Sequence, residues 1–169
     1  MIFEWFNVVF SGPTEQAKLF TVAISTILAV TLLLMNQWFI GNRARKERLI
    51  EKLEDLTSAI HEFYSLGVEV NRCLHLSKKY DEKAIDKFIG LGIKIDTLCS
   101  LYFNNSTIDT SISADIISIG MEELNKPKLG NGATIPSDHP FMEMNEEIHI
   151  WFEDSQLKIK VLIKKHITS

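Results

Sequence analysis

Between Lys18 and Arg43 the chain carries no charge. The stretch Leu19 to Asn42, LFTVAISTILAVTLLLMNQWFIGN, is apolar on every side of a helix through Ile24, Ile27, Leu28, Val30, Leu32, Leu33 and Leu34. Its 24 residues at ~1.5 Å each make a helix of roughly 36 Å, enough to cross a hydrocarbon layer of about 30 Å with some tilt. A core helix of a soluble domain is usually shorter and keeps a polar face. A cleaved leader needs a basic start and a shorter apolar run, whereas residues 1–17 hold Glu4 and Glu15 and neither Lys nor Arg. The pattern predicts a transmembrane helix over residues 18–42, a short extracytoplasmic or interfacial segment at 1–17, and one domain at 43–169.

Hydrophobic periodicity changes character after the span. Leu49, Leu53, Leu56, Ile60, Phe63, Gly67, Val70 and Leu74 follow one another at spacings of 4, 3, 4, 3, 4, 3 and 4, a coiled-coil-like heptad seam. This predicts a long amphipathic helix, continuous with the span and ending near Lys78 and Lys79. Gly67 in that seam leaves a hole for a neighbouring helix. Asp81 caps a second helix reaching about Phe103, with Ile85, Phe88, Gly92, Ile95, Cys99 and Tyr102 inward. The brief link between these helices favours an antiparallel hairpin.

Residues 104–113, NNSTIDTSIS, read as a connection. A shorter helix over Ala114 to Leu124 turns Ile116, Ile117, Met121 and Leu124 inward. Three of the four prolines, with Gly130 and Gly132, then mark a loop of about sixteen residues, Asn125 to Pro140, whose length suggests a mobile segment. A last helix starts at Asp138 and Pro140, with a seam of Phe141, Met144, Ile148, Phe152, Ser155, Ile159, Leu162 and His166. Glutamates early and lysines late suit its dipole. LKIKVLI, Leu157 to Ile163, also alternates with period two, which offers a strand as the alternative. The fold class is therefore all-α: a single N-terminal transmembrane helix followed by a cytoplasmic antiparallel helical bundle of about four helices. A three-helix core with the short helix packed across it is the runner-up.

Charge decides the expected orientation. Arg43, Arg45, Lys46 and Arg48 follow the span within six residues, against Lys18 alone before it, so the positive-inside bias places the N-terminus outside and the domain in the cytoplasm. From Leu49 onward there are 13 Lys and Arg against 19 Asp and Glu, which argues against a nucleic-acid partner, because phosphate binding needs clustered bases. Cys73 and Cys99 in a reducing compartment are expected as buried apolar residues rather than a disulfide.

At the N-terminus, Glu4, Asn7 and Ser11 would line one stripe of a short interfacial helix beside Trp5, Phe6 and Phe10. Thr14 offers a cap for the span that Pro13 leads into. Within the span, Thr21, Ser25 and Ala29 recur every fourth residue, a small-residue stripe along which a second helix could approach.

Chemistry is sparse. Glu146 and His149 form one Glu-x-x-His, whereas di-iron helical bundles need two such motifs with two further glutamates. Ser58 and Arg72 stand three residues before His61 and His75, so the set stays incomplete. His61 and His75 fall one step off the seam and are expected on exposed flanks. No nucleophile with a positioned base, no metal-ligand spacing and no phosphate cradle is present in local sequence. The expectation is a non-enzymatic protein without cofactor. Its partners are the lipid bilayer, a protein of unknown identity and a second copy of itself, paired through the transmembrane or first cytoplasmic helix. Three functions remain: a membrane-anchored interaction or scaffold protein first, then a membrane-acting effector or signal transducer whose domain controls transmembrane oligomerisation, and last an enzyme using Glu146 and His149.

Overall fold

The computed structural model describes residues 12–103, 107–127 and 135–167. The expected interfacial helix at residues 1–10 lies outside these residues, as do parts of two predicted connections. Four α-helices account for most of the described chain: α1 (Pro13–Arg72), α2 (Glu82–Tyr102), α3 (Ile112–Leu124) and α4 (Pro140–Ile167). A π-helical turn, Cys73–Ser77, closes α1. No strand occurs among the described residues. LKIKVLI is helical because only the 3–4 spacing buries anything there: Ser155, Ile159 and Leu162 are inward, while Leu157, Val161 and Ile163 stay exposed.

The chain divides into two compact units, Met1–Arg45 and Lys46–Ser169. In the first, α1 starts two residues earlier than Thr14 capping predicts. Pro13 takes the first helical position, where its missing N–H costs nothing, and the Gly12 carbonyl accepts from the amides of Glu15 and Gln16, both at 3.1 Å. The apolar stretch is long and apolar enough to cross a membrane, and none of it is buried. Leu32, Leu33 and Leu34 are each 59% exposed. A helix serving as a soluble core would be covered; this one is bare on all sides.

The second unit holds the core. Six of the eight seam positions of α1 are buried hydrophobics, Leu53, Leu56, Ile60, Phe63, Val70 and Leu74, and Gly67 is buried with them, while Leu49 is half-buried. Phe88 of α2 fills the space left by Gly67, its ring edge 3.1 Å from where a Cβ would stand. The rings of Phe63 and Phe88 lie 4.4 Å apart, and Trp151 of α4 packs on Phe63 at 4.7 Å. Lys87 pairs with Glu62 at 2.7 Å, which sets α2 alongside α1. Asp81 caps α2 as expected, accepting from the Ala84 amide at 3.2 Å.

Two predicted inward positions turn out otherwise. Tyr102 is 41% exposed and Met121 is 42% exposed. The buried face of α2 is wider than a single seam and includes Leu91 and Leu98, so it rotates Tyr102 outward. On α3 the buried positions are Ile116, Gly120 and Glu123, because the helix presses its backbone against Leu74: a Cβ on Gly120 would stand 2.6 Å from the nearest atom of that leucine. Gly90, expected to mark close packing, faces open space.

Candidate functional site

The predicted membrane-flanking bases, Arg43, Arg45, Lys46 and Arg48, all lie on α1 and all are exposed. Thr21, Ser25 and Ala29 are exposed on the same helix. The Thr21 hydroxyl donates to the Ala17 carbonyl at 2.8 Å, and Thr26 and Thr31 do the same to Val22 and Ile27. Their polar groups are satisfied within the helix, as a nonpolar surrounding requires. Within the stripe, the Thr21 hydroxyl is the one so engaged among the bonds described.

A buried polar cluster that the sequence did not announce sits where the π-helical turn meets α3 and the start of α4. At the turn, Lys78 adopts a left-handed backbone (φ 50°, ψ 45°), and its amide donates to the Cys73 carbonyl. That conformation costs about 1–2 kcal/mol for a residue with a Cβ. It sends the Lys78 ammonium, whose side chain is 6% exposed, onto Glu123 of α3, 5% exposed. Lys78 donates both to the Glu123 backbone carbonyl and to its Oε2, the latter at 3.2 Å. Lys126 donates to Oε1 of the same carboxylate. Lys126 above all, with Lys78 behind it, holds the Glu123 carboxyl below its usual range against the opposing effect of burial.

His75 lies in the same turn and is wholly buried, not on an exposed flank as expected. The wider π-helical geometry turns it inward one step beyond Leu74, against the His139 ring at 6.2 Å. Neither ring nitrogen has a hydrogen-bond partner among the described residues. Asn71, one turn earlier and also buried, donates from Nδ2 to the Phe141 carbonyl at 3.2 Å, while its Oδ1 is likewise without a partner among them. Burial pushes the His75 pKa down; the nearby Glu123 carboxylate works the other way, and His139, Lys78 and Lys126 add to the lowering. His139 and Asp138, which the sequence left in a mobile loop, line a cleft of about 390 Å³ beside this cluster together with Lys78, Glu123 and Lys126. The only hint in sequence was a polar pair, Asn71 and His75, at helical spacing beside the seam.

The remaining candidates take surface positions. His149 is exposed, 3.5 Å from Glu153 and 3.5 Å from the Tyr64 hydroxyl, and Glu146 is exposed without joining it in any cluster. His61 approaches the Thr57 carbonyl with Nδ1 at 2.8 Å, which fixes that nitrogen as the donor, and it meets the Phe152 ring edge-on at 5.2 Å. Both cysteines are free: Cys99 is buried, and Cys73, expected buried, is half-exposed, its thiol donating to Glu69 at 3.5 Å. Among the described residues no three His, Cys, Asp or Glu side chains converge on a point where a metal ion could sit. No protein-family model matches the chain, and neither does any curated protein or solved structure with which it was compared.

Proposed function

We propose that this is a single-pass, membrane-anchored helical interaction protein, with its N-terminus outside and an antiparallel helical bundle in the cytoplasm. One observation carries the reading: in the charge-free helical stretch from Leu19 to Asn42, every residue from Phe20 to Gly41 is exposed among the described residues. Leaving that much apolar surface in water is unfavourable at about 25 cal/mol per Å², and a bilayer removes the cost. The bases from Arg43 to Arg48 set the orientation. The domain offers helical surfaces, which suits binding. Alkaline extraction of membranes from producing cells should leave the chain in the pellet, and protease added outside intact cells should spare the domain. In-cell crosslinking should then recover a protein partner or a second copy. A chain released by alkali, or a crosslinked sample holding neither, would overturn the reading.

The effector reading differs in assigning the output to pairing within the membrane. The alignment of Thr21, Ser25 and Ala29 on one bare stripe favours it. Leu at both Ser25 and Ala29 should abolish self-crosslinking under that reading, and unchanged crosslinking removes it.

A further inference from the structure

The second unit is acidic as a whole, yet one of its ends is basic and greasy at once. On α4 every Asp and Glu precedes Ser155 and every Lys follows Gln156. The helix dipole accounts for Lys164 and Lys165 in the last turn. It does not account for Lys160 further back, nor for the exposed apolar residues beside it, Leu157 and Val161, each 60% exposed. Leu157, Lys160, Val161 and Lys164 follow the i, i+3, i+4, i+7 rule and so share one helical face.

Tertiary packing brings this face to a particular end of the unit. Ile163 of α4 lines a groove with Ile50 and Leu53 of α1, next to Lys46 and Arg48 in the chain. His166 lies 6.1 Å from Phe103 at the close of α2, which places the exposed Leu101 and Tyr102 at that end too. In the chain, Lys46 stands four residues after Asn42. Glu47, Glu51 and Glu54 are the acids interleaved there, Glu54 lining the groove itself, against five bases, Lys46, Arg48, Lys160, Lys164 and Lys165.

We infer that this end is a docking surface for an anionic membrane, with Lys160, Lys164 and Lys165 meeting lipid phosphate and carboxylate groups while Leu157 and Val161 enter the headgroup layer. The inference rests on the membrane-anchored reading above. Charge complementarity selects the occupant: an anionic bilayer attracts this end and repels the acidic remainder, so the domain is held in one orientation. Basic residues beside exposed aliphatic ones are the chemistry of interfacial helices.

The test is lysine acetylation read by mass spectrometry on the full chain in lipid nanodiscs, of phosphatidylcholine alone or of phosphatidylcholine mixed with phosphatidylserine. Lys160, Lys164 and Lys165 should react on the order of tenfold more slowly in the anionic discs, given the attraction of each base to such a surface. High salt should restore their reactivity, and Lys83, exposed on α2, should react alike in both discs. Equal rates in both disc types, with the chain co-eluting with the discs, overturn the docking surface and leave the anchor standing. Equal protection in both types marks apolar contact without lipid charge and overturns it as well. A chain that elutes apart from the discs removes the anchor, and the docking surface with it.

Discussion

The ring edge of Phe88 stands 3.1 Å from the place where Gly67 would carry a Cβ. Phe88 is wholly buried and is held by Phe63 on its other side, so it has little room to give. Gly67→Ala should therefore lose stability despite the gain of ~1 kcal/mol that alanine offers in a helix. Gly90→Ala, exposed on α2 with open space around it, should show that gain undiminished. Thermal unfolding of the two variants of the full chain in detergent settles the matter; stabilisation by both would mean that Phe88 does not fill the gap.

Phe63 is the hub of the aromatic packing, 1% exposed, between Phe88 and Trp151. Phe63→Ala should cost about 3–5 kcal/mol through lost burial and the cavity left behind. Phe39→Ala, in the bare stretch of α1, should leave the unfolding of the domain unchanged. Equal midpoints for Phe63→Ala and the parent would contradict the core.

Lys78 and Glu123 are both nearly closed to solvent and are bonded through side chain and backbone. Removing one partner strands a buried charge, so Lys78→Met should cost ~3 kcal/mol, eased by the Lys126 contact that remains. Adding Glu123→Leu removes the stranded carboxylate and should restore part of the loss. If the double variant is as unstable as the two single losses added together, the pair is not coupled.

Acid should loosen this end of the domain in two successive windows. Burial keeps the His75 pKa below its ordinary 6.5, so the unfolded chain takes up that proton first. The associated stability is present above 6.5 and drains as pH falls toward the folded-state value. Glu123, held below its ordinary 4.5, contributes fully above that value and loses its contribution as pH falls through the folded-state one. His75→Leu should flatten the pH dependence of the melting temperature in the upper window while leaving the lower one. An unaltered upper slope in this variant would assign the acid sensitivity elsewhere.

Sequence by itself determined the elements and the bare helix, because both follow from local rules. A charge-free run long enough to cross a bilayer needs no partner to be recognised, and the 3–4 spacing that buries Leu53, Phe63 and Val70 on α1 is written in the order of residues. Asp81 caps α2 through a bond three residues away, a contact that sequence can state outright. Tertiary structure alone decided what happens between helices. Sequence spacing turned Met121 inward, whereas the close approach of α3 to Leu74 buries Gly120 and Glu123 and leaves Met121 exposed. His75 became a buried group because a π-helical turn shifted the register after Arg72, a change of hydrogen bonding that residue order does not reveal. Likewise, four lysines in α4 are a helix end until Ile163 and His166 are found beside Ile50 and Phe103, which gathers them with the first turns of the second unit and the close of α2. Local patterns fix what each segment becomes; distances between remote residues, set by packing, fix which groups share a surface.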